Sequence, residues 1–60
     1  MKKVIYSIND LAFSLLLEQE DDWYHVTYGE ESHQYLDYTI AATRFGLCLL
    51  HNLKCAGKMD

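Results

Sequence analysis

Along the first half of the chain, apolar positions recur at every second residue. Val4, Tyr6 and Ile8 form one such row; Leu11, Phe13, Leu15 and Leu17 a second; Tyr24, Val26 and Tyr28 a third. A period of two marks a half-buried strand, and it predicts strands at about 3–8, 11–18 and 23–28. The middle segment also admits a helix over 8–20, with Ile8, Leu11, Ala12, Leu15 and Leu16 on one side, and its Leu, Ala, Glu and Gln favour that state. Phe13 and Leu17 would then fall among Asn9, Asp10 and Glu20, which spoils the stripe. The strand reading gains from its neighbours. With Asn9-Asp10 as a two-residue hairpin loop, Ile8 faces Leu11, Tyr6 faces Phe13 and Val4 faces Leu15. With Gln19–Asp22 as the next loop, Leu17 faces Tyr24, Leu15 faces Val26 and Phe13 faces Tyr28. Both registers collect Val4, Tyr6, Phe13, Leu15, Tyr24 and Val26 on one face, and a slip of one residue would undo it.

The period changes in the second half. At about 100° per residue, His33, Gln34, Asp37, Arg44, Cys48, His51, Asn52 and Cys55 share a narrow polar arc, while apolar residues from Tyr35 to Leu53 cover most of the rest. This predicts one long helix over about 32–55. Ser32 can cap its start, with Glu30 and Glu31 near the positive end of the dipole. Lys54 and Lys58 lie by the negative end, and Gly57 suits a C-terminal stop. The expected fold is α+β: a three-stranded antiparallel meander followed by one amphipathic helix, βββα, as a single domain over 1–60.

The apolar arc is wider than a helix resting on one sheet requires. Ala42 and Gly46 lie four apart near its centre, flanked by Thr39, Leu49, Leu50 and Leu53. Small residues there would let two backbones approach closely. A chain of 60 residues buries only about 60% of the surface its unfolded form exposes, and such small cores gain from association. A homodimer through Thr39, Ala42, Gly46, Leu49, Leu50 and Leu53 is therefore expected. The bland alternative is that Gly46 makes room for a strand side chain beneath the helix.

Charge changes the functional picture more than composition does. Half of the residues are apolar or aromatic, which suits a folded domain. The net charge is −4, unevenly spread. Between Lys3 and Arg44 there is no Lys or Arg, whereas Asp10, Glu18, Glu20, Asp21, Asp22, Glu30, Glu31 and Asp37 all fall there. Phosphate binding needs clustered Lys and Arg, so nucleic acid is disfavoured as a partner and a protein with a basic surface is favoured. The competing explanation is plain solubility. Trp23 follows the acidic run directly and shares with His25 the face opposite Tyr24 and Val26, and an aromatic beside acids is a feature that anchors partners. Glu18, Glu20, Asp21, Asp22, Trp23, His25, Glu30 and Glu31 are the candidate partner-binding residues. The basic tip of the chain lacks a following apolar region of signal-peptide length, and Phe45–Leu50 is too short to span a membrane, so a cytoplasmic location is expected.

Candidate chemistry is sparse. Cys48, His51 and Cys55 fall on one helical face, and thiolate and imidazole are zinc ligands, but a structural site needs four. A Cys48–Cys55 disulfide is ruled out by the helix, which would hold their Cα atoms ~10 Å apart. Cys55 with His51 as base would make a nucleophile, yet no third orienting group or substrate cleft is suggested. The run Glu18–Asp22 lacks the glycine and the spacing of a calcium loop. No cofactor, metal or catalytic activity is expected.

The stretch Phe13-Ser14-Leu15-Leu16-Leu17-Glu18-Gln19-Glu20-Asp21-Asp22-Trp23-Tyr24-His25-Val26, followed by an amphipathic helix, resembles the N-terminal part of HicB-type antitoxins. In that family an apolar strand ends in acidic turn residues, a second strand follows and a helix packs behind. The resemblance covers about half of the chain, without the family's Pro-Gly segment or its DNA-binding tail. It implies a small module that masks a basic protein, such as an RNA-cleaving toxin. The expected function is thus a non-enzymatic acidic inhibitor, antitoxin-like or of the kind phages direct against host defence. A helix-mediated structural module is the alternative, and a nucleic-acid-binding accessory protein the third.

Overall fold

A computed structural model describes residues 1–58. Four strands precede the helix: β1 (Lys2–Ile8), β2 (Leu15–Glu20), β3 (Trp23–Tyr28) and β4 (Glu31–Tyr35), then α1 (Tyr38–Cys55). The strands form one antiparallel meander in the order β1-β2-β3-β4, with the helix against one face. The α+β meander-then-helix architecture is as the periodicity predicts; the number of strands is four rather than three.

The added strand comes out of the segment expected to begin the helix. Gly29 and Glu30 form a two-residue turn, with Gly29 at φ +61°, a conformation that glycine adopts without steric cost. The turn folds Glu31–Tyr35 back along β3, pairing Val26 with His33 and Tyr24 with Tyr35. The helix therefore starts at Tyr38, and Asp37 replaces Ser32 as its cap. The Asp37 carboxylate accepts from Thr39 N at 2.8 Å and Ile40 N at 3.3 Å, satisfying two donors that a helix start leaves open. The far end is as expected: Gly57 takes φ +73°, Gly57 N donates to Lys54 O and Lys58 N to Leu53 O, a glycine-terminated stop.

The expected strand over 11–18 is also shortened. Asn9–Ser14 is a bent connection, and β2 begins at Leu15. Ile8 thus pairs with Leu15 and Tyr6 with Leu17, in place of Leu11 and Phe13. Between β2 and β3 the turn is Asp21-Asp22 alone, with Asp21 at φ 55°. The tighter turn moves the register by two, so that Leu17 meets Val26 and Leu15 meets Tyr28. A shift of two keeps every side chain on its expected face, where a shift of one would have reversed them.

A bulge at Ile5 makes a further correction. The ladder passes from Val4↔Glu18 directly to Tyr6↔Leu17, so one residue is unopposed and the alternation restarts. Ile5, Tyr6 and Ile8 turn towards the helix side, while Val4 falls on the opposite face. Phe13 leaves the sheet altogether, although its ring still meets Tyr28 edge-on at 5.5 Å.

Leu15, Leu17, Val26 and Ala41 form the fully buried centre, with Ile5, Ile8, Tyr24, Tyr28, Tyr35, Phe45, Cys48 and Leu49 around it. Cys48 and Asn52, expected on the polar arc, belong to the side of the helix that meets the sheet. Asn52 is 0% exposed. Its amide fills the role of a missing ladder partner for the loop: Oδ1 accepts from Phe13 N and Nδ2 donates to Phe13 O, both at 2.8 Å. Backbone groups shielded from water need partners, and this one side chain satisfies both of Phe13's, in hydrogen bonds that are partly buried. α1 lies over β2 and β3 and reaches β4, but no Cα of α1 comes within 8 Å of one in β1. No helix among the described residues is long and apolar enough to cross a membrane.

Candidate protein-docking face

The sheet has one face under the helix and one with no covering element among the described residues. Strand register sets what the open face carries. One row runs Lys2, Glu20, Trp23; the next Val4, Glu18, His25, Gln34; the third Ser7, Leu16, Thr27, Ser32. Trp23 and His25 share this face and Tyr24 and Val26 the other, as the alternation predicts.

His25 is the unusual member. It sits in the middle of an uncovered face, yet it is only 9% exposed. Flanking positions are held by Glu18 and Gln34 across the ladder and by Trp23 and Thr27 along the strand. Its Nε2 lies 3.5 Å from Glu20 Oε1, and it is the buried side-chain polar atom among the described residues that makes no hydrogen bond. Beside it Trp23 is 43% exposed.

Of the residues expected to bind a partner, Glu18, Glu20, Asp21, Asp22, Trp23 and His25 are brought together at one end of the open face. Glu30 and Glu31 are not with them: they belong to the β3–β4 turn at the opposite end of β3, ~17 Å away at 3.4 Å per residue. The charge segregation seen along the chain is also softened by folding, because the β1–β2 register places Lys2 opposite Glu20 and Lys3 opposite Gln19. What distinguishes the end is therefore the combination of an exposed indole, two face carboxylates and two turn carboxylates, rather than unrelieved negative charge.

On the helix, the Cys55 thiol stands 3.8 Å from both nitrogens of His51. A sulfur equidistant from the two lies in line with neither lone pair, and proton transfer needs a directed approach of about 2.6–3.2 Å. His51 Nδ1 is instead engaged at 2.7 Å by the Tyr28 hydroxyl. Loss of solvation raises the Tyr28 phenol, with smaller contributions from Cys55 and Cys48, so it stays protonated; the His51 tautomer sets which of the two groups donates. Cys48 is half-buried; burial raises its thiol, Arg44 lowers it and Glu31 raises it again. Among the described residues no three His, Cys, Asp or Glu side chains converge as a metal-binding group.

Asn52 is the structural residue that sequence reasoning placed on the wrong side; an Asn on a helix four positions after Cys48 carries no mark that separates a clamp from a solvated amide. No family model, curated protein or solved structure matches this chain.

Proposed function

We propose that the chain is a non-enzymatic, cytoplasmic binding protein that masks a basic protein surface with the uncovered face of its sheet. The observation that carries this reading is the pairing of an exposed Trp23 with a buried His25 whose Nε2 makes no hydrogen bond and has only Glu20 Oε1 at 3.5 Å beside it, on a face that no element among the described residues covers. A buried polar atom without a hydrogen bond costs about 1–3 kcal/mol, and such groups in folded proteins call for an explanation. A partner that closes over Trp23 and reorders the Glu20 carboxylate supplies one.

The division of labour follows from exposure and charge. Trp23 is the anchor, since hot spots are enriched in tryptophan and sit at the centre of interfaces. Glu18, Glu20, Asp21 and Asp22 steer and register cationic side chains, an effect that salt weakens. His25 stiffens the floor beneath them. Glu30 and Glu31 lie outside this footprint. A basic RNA-cleaving toxin, the target implied by the HicB resemblance, is one partner of suitable chemistry.

The test is affinity capture from host lysate at low and high salt, with wild type beside a Glu18→Lys/Glu20→Lys variant. A basic protein retained stoichiometrically at low salt, released at high salt and lost by the variant is the expected result. Equal capture by the charge-reversed variant sinks the proposal.

A further inference from the structure

Glu30 and Glu31 lie outside the proposed docking end, and the fold gives them different company. They border a cleft of about 520 Å³ whose other lining residues are Phe13, Tyr28, Gly29 and His51. Small-molecule sites fall in the range of roughly 300–1,000 Å³. His51, Tyr28 and Phe13 make an aromatic row packed edge to face. Ring centroids are 5.8 Å apart at 87° for His51 and Tyr28, and 5.5 Å apart at 78° for Tyr28 and Phe13. A ring that meets its neighbour edge-on keeps its own faces clear of that neighbour, and those faces carry the negative side of the π quadrupole.

The walls of the cleft are fixed from within the fold. Asn52, fully buried, holds the backbone of Phe13 with two hydrogen bonds, yet the ring it positions stays 46% exposed. The clamp thus holds an apolar ring at the surface. Gly29 N donates to Ser14 O at 2.9 Å, which ties the turn carrying Glu30 and Glu31 to the same loop. The Tyr28 hydroxyl and His51 Nδ1 are hydrogen-bonded at 2.7 Å. Walls set before a ligand enters lower the ordering cost of binding.

The charge of the lining is one-sided: it holds two carboxylates and no Lys or Arg. Among the described residues neither Glu30 nor Glu31 is paired with a Lys or Arg, and His33, 3.9 Å from Glu31 and exposed, is the cationic neighbour when protonated. Two acids alone would make a solvated turn. Beside an aromatic row they suit a cation with an apolar body, held by charge-assisted hydrogen bonds and by cation–π attraction.

We infer that this cleft binds a small organic cation, an ammonium or guanidinium on an apolar stem, between the carboxylates of Glu30 and Glu31 and the rings of Phe13 and Tyr28. A bare metal ion would leave the aromatic row unused. The site lies at the end of β3 away from Trp23, so the inference is independent of the proposed docking face.

Amide NMR of the labelled full chain, titrated with phenethylammonium chloride, tests it, with neutral phenethyl alcohol and anionic phenylpropionate as matched probes. The amine should give saturable shifts at Phe13, Gly29, Glu30 and His51, with a Kd of about 1 mM or tighter. The alcohol and the carboxylate should bind at least ~10-fold more weakly. Glu30→Gln/Glu31→Gln should weaken the amine about fivefold, the carboxylates being exposed. Phe13→Leu should weaken it about threefold through the lost cation–π contact. Should Phe13→Leu disturb the loop, the double glutamine variant, on an exposed turn, decides alone. Absence of saturable shifts, equal binding of all three probes, shifts centred on Glu18 to Trp23, or unchanged affinity in the double variant overturns the inference.

Discussion

Asn52→Ala is expected to destabilise the protein by about 2–4 kcal/mol, the cost of two backbone groups losing buried partners. Asn52 is fully buried, and its amide closes both hydrogen bonds of Phe13 across 39 residues of sequence. No strand stands ready to replace it, because Asn9–Ser14 is a loop. A domain of this length has a total stability of roughly 3–9 kcal/mol at 0.05–0.15 kcal/mol per residue, so the variant should lie near the limit of folding. Asn52→Asp should be worse still: it retains an acceptor for Phe13 N but sets a buried carboxylate against Phe13 O. Urea unfolding measures both, with Lys54→Ala, on the solvent side of the same turn, expected within about 0.5 kcal/mol of wild type. A midpoint for Asn52→Ala equal to that of Lys54→Ala would show that the clamp contributes nothing.

Trp23→Ala is expected to weaken the captured partner by about 2 kcal/mol or more, roughly 30-fold in Kd, the scale of an interface hot spot. The indole keeps 43% of its surface exposed on the uncovered face, so its removal should lower the urea midpoint by less than Asn52→Ala does. Binding and stability should thus separate the two residues, with Asn52 governing the fold and Trp23 the proposed interface. Titration calorimetry on the partner identified by capture reads the effect directly. An unchanged Kd would remove Trp23 as anchor even if the acidic residues still steer the encounter.

The parts of the fold legible in the sequence are those where burial imposes a period. β3 emerges at its expected limits, because one side of it faces the helix layer and alternation is enforced; β1 keeps nearly its expected limits although the bulge at Ile5 interrupts its alternation. The helix ends at Cys55 as its pattern ends, and Trp23 and His25 lie on the expected face. β4 was hidden because it is an edge strand over much of whose length neither face is deeply buried. Ser32, His33 and Gln34 are all exposed, so no apolar period marks them, and only the Gly29-Glu30 turn signals the return. Phe13 and Val4 misled for the opposite reason. Each fits an apolar period, but a loop closed by Asn52 and a bulge at Ile5 depend on long-range pairing that no local window contains. The candidate docking end was legible as a run of acids before a tryptophan; the burial of His25 among them was not, since it depends on neighbours from two other strands.

The measurement closest to the central claim is an amide and indole NMR footprint of the captured basic partner on the isotope-labelled chain. If the open face is the docking surface, the shifts and line broadening should centre on Glu18, Glu20, Trp23 and His25, extend to Asp21 and Asp22, and leave Ile40, Leu47 and Leu50 undisturbed. A footprint centred on the outer side of α1, with Trp23 and His25 unmoved, would contradict the proposed function and assign partner binding to the helix.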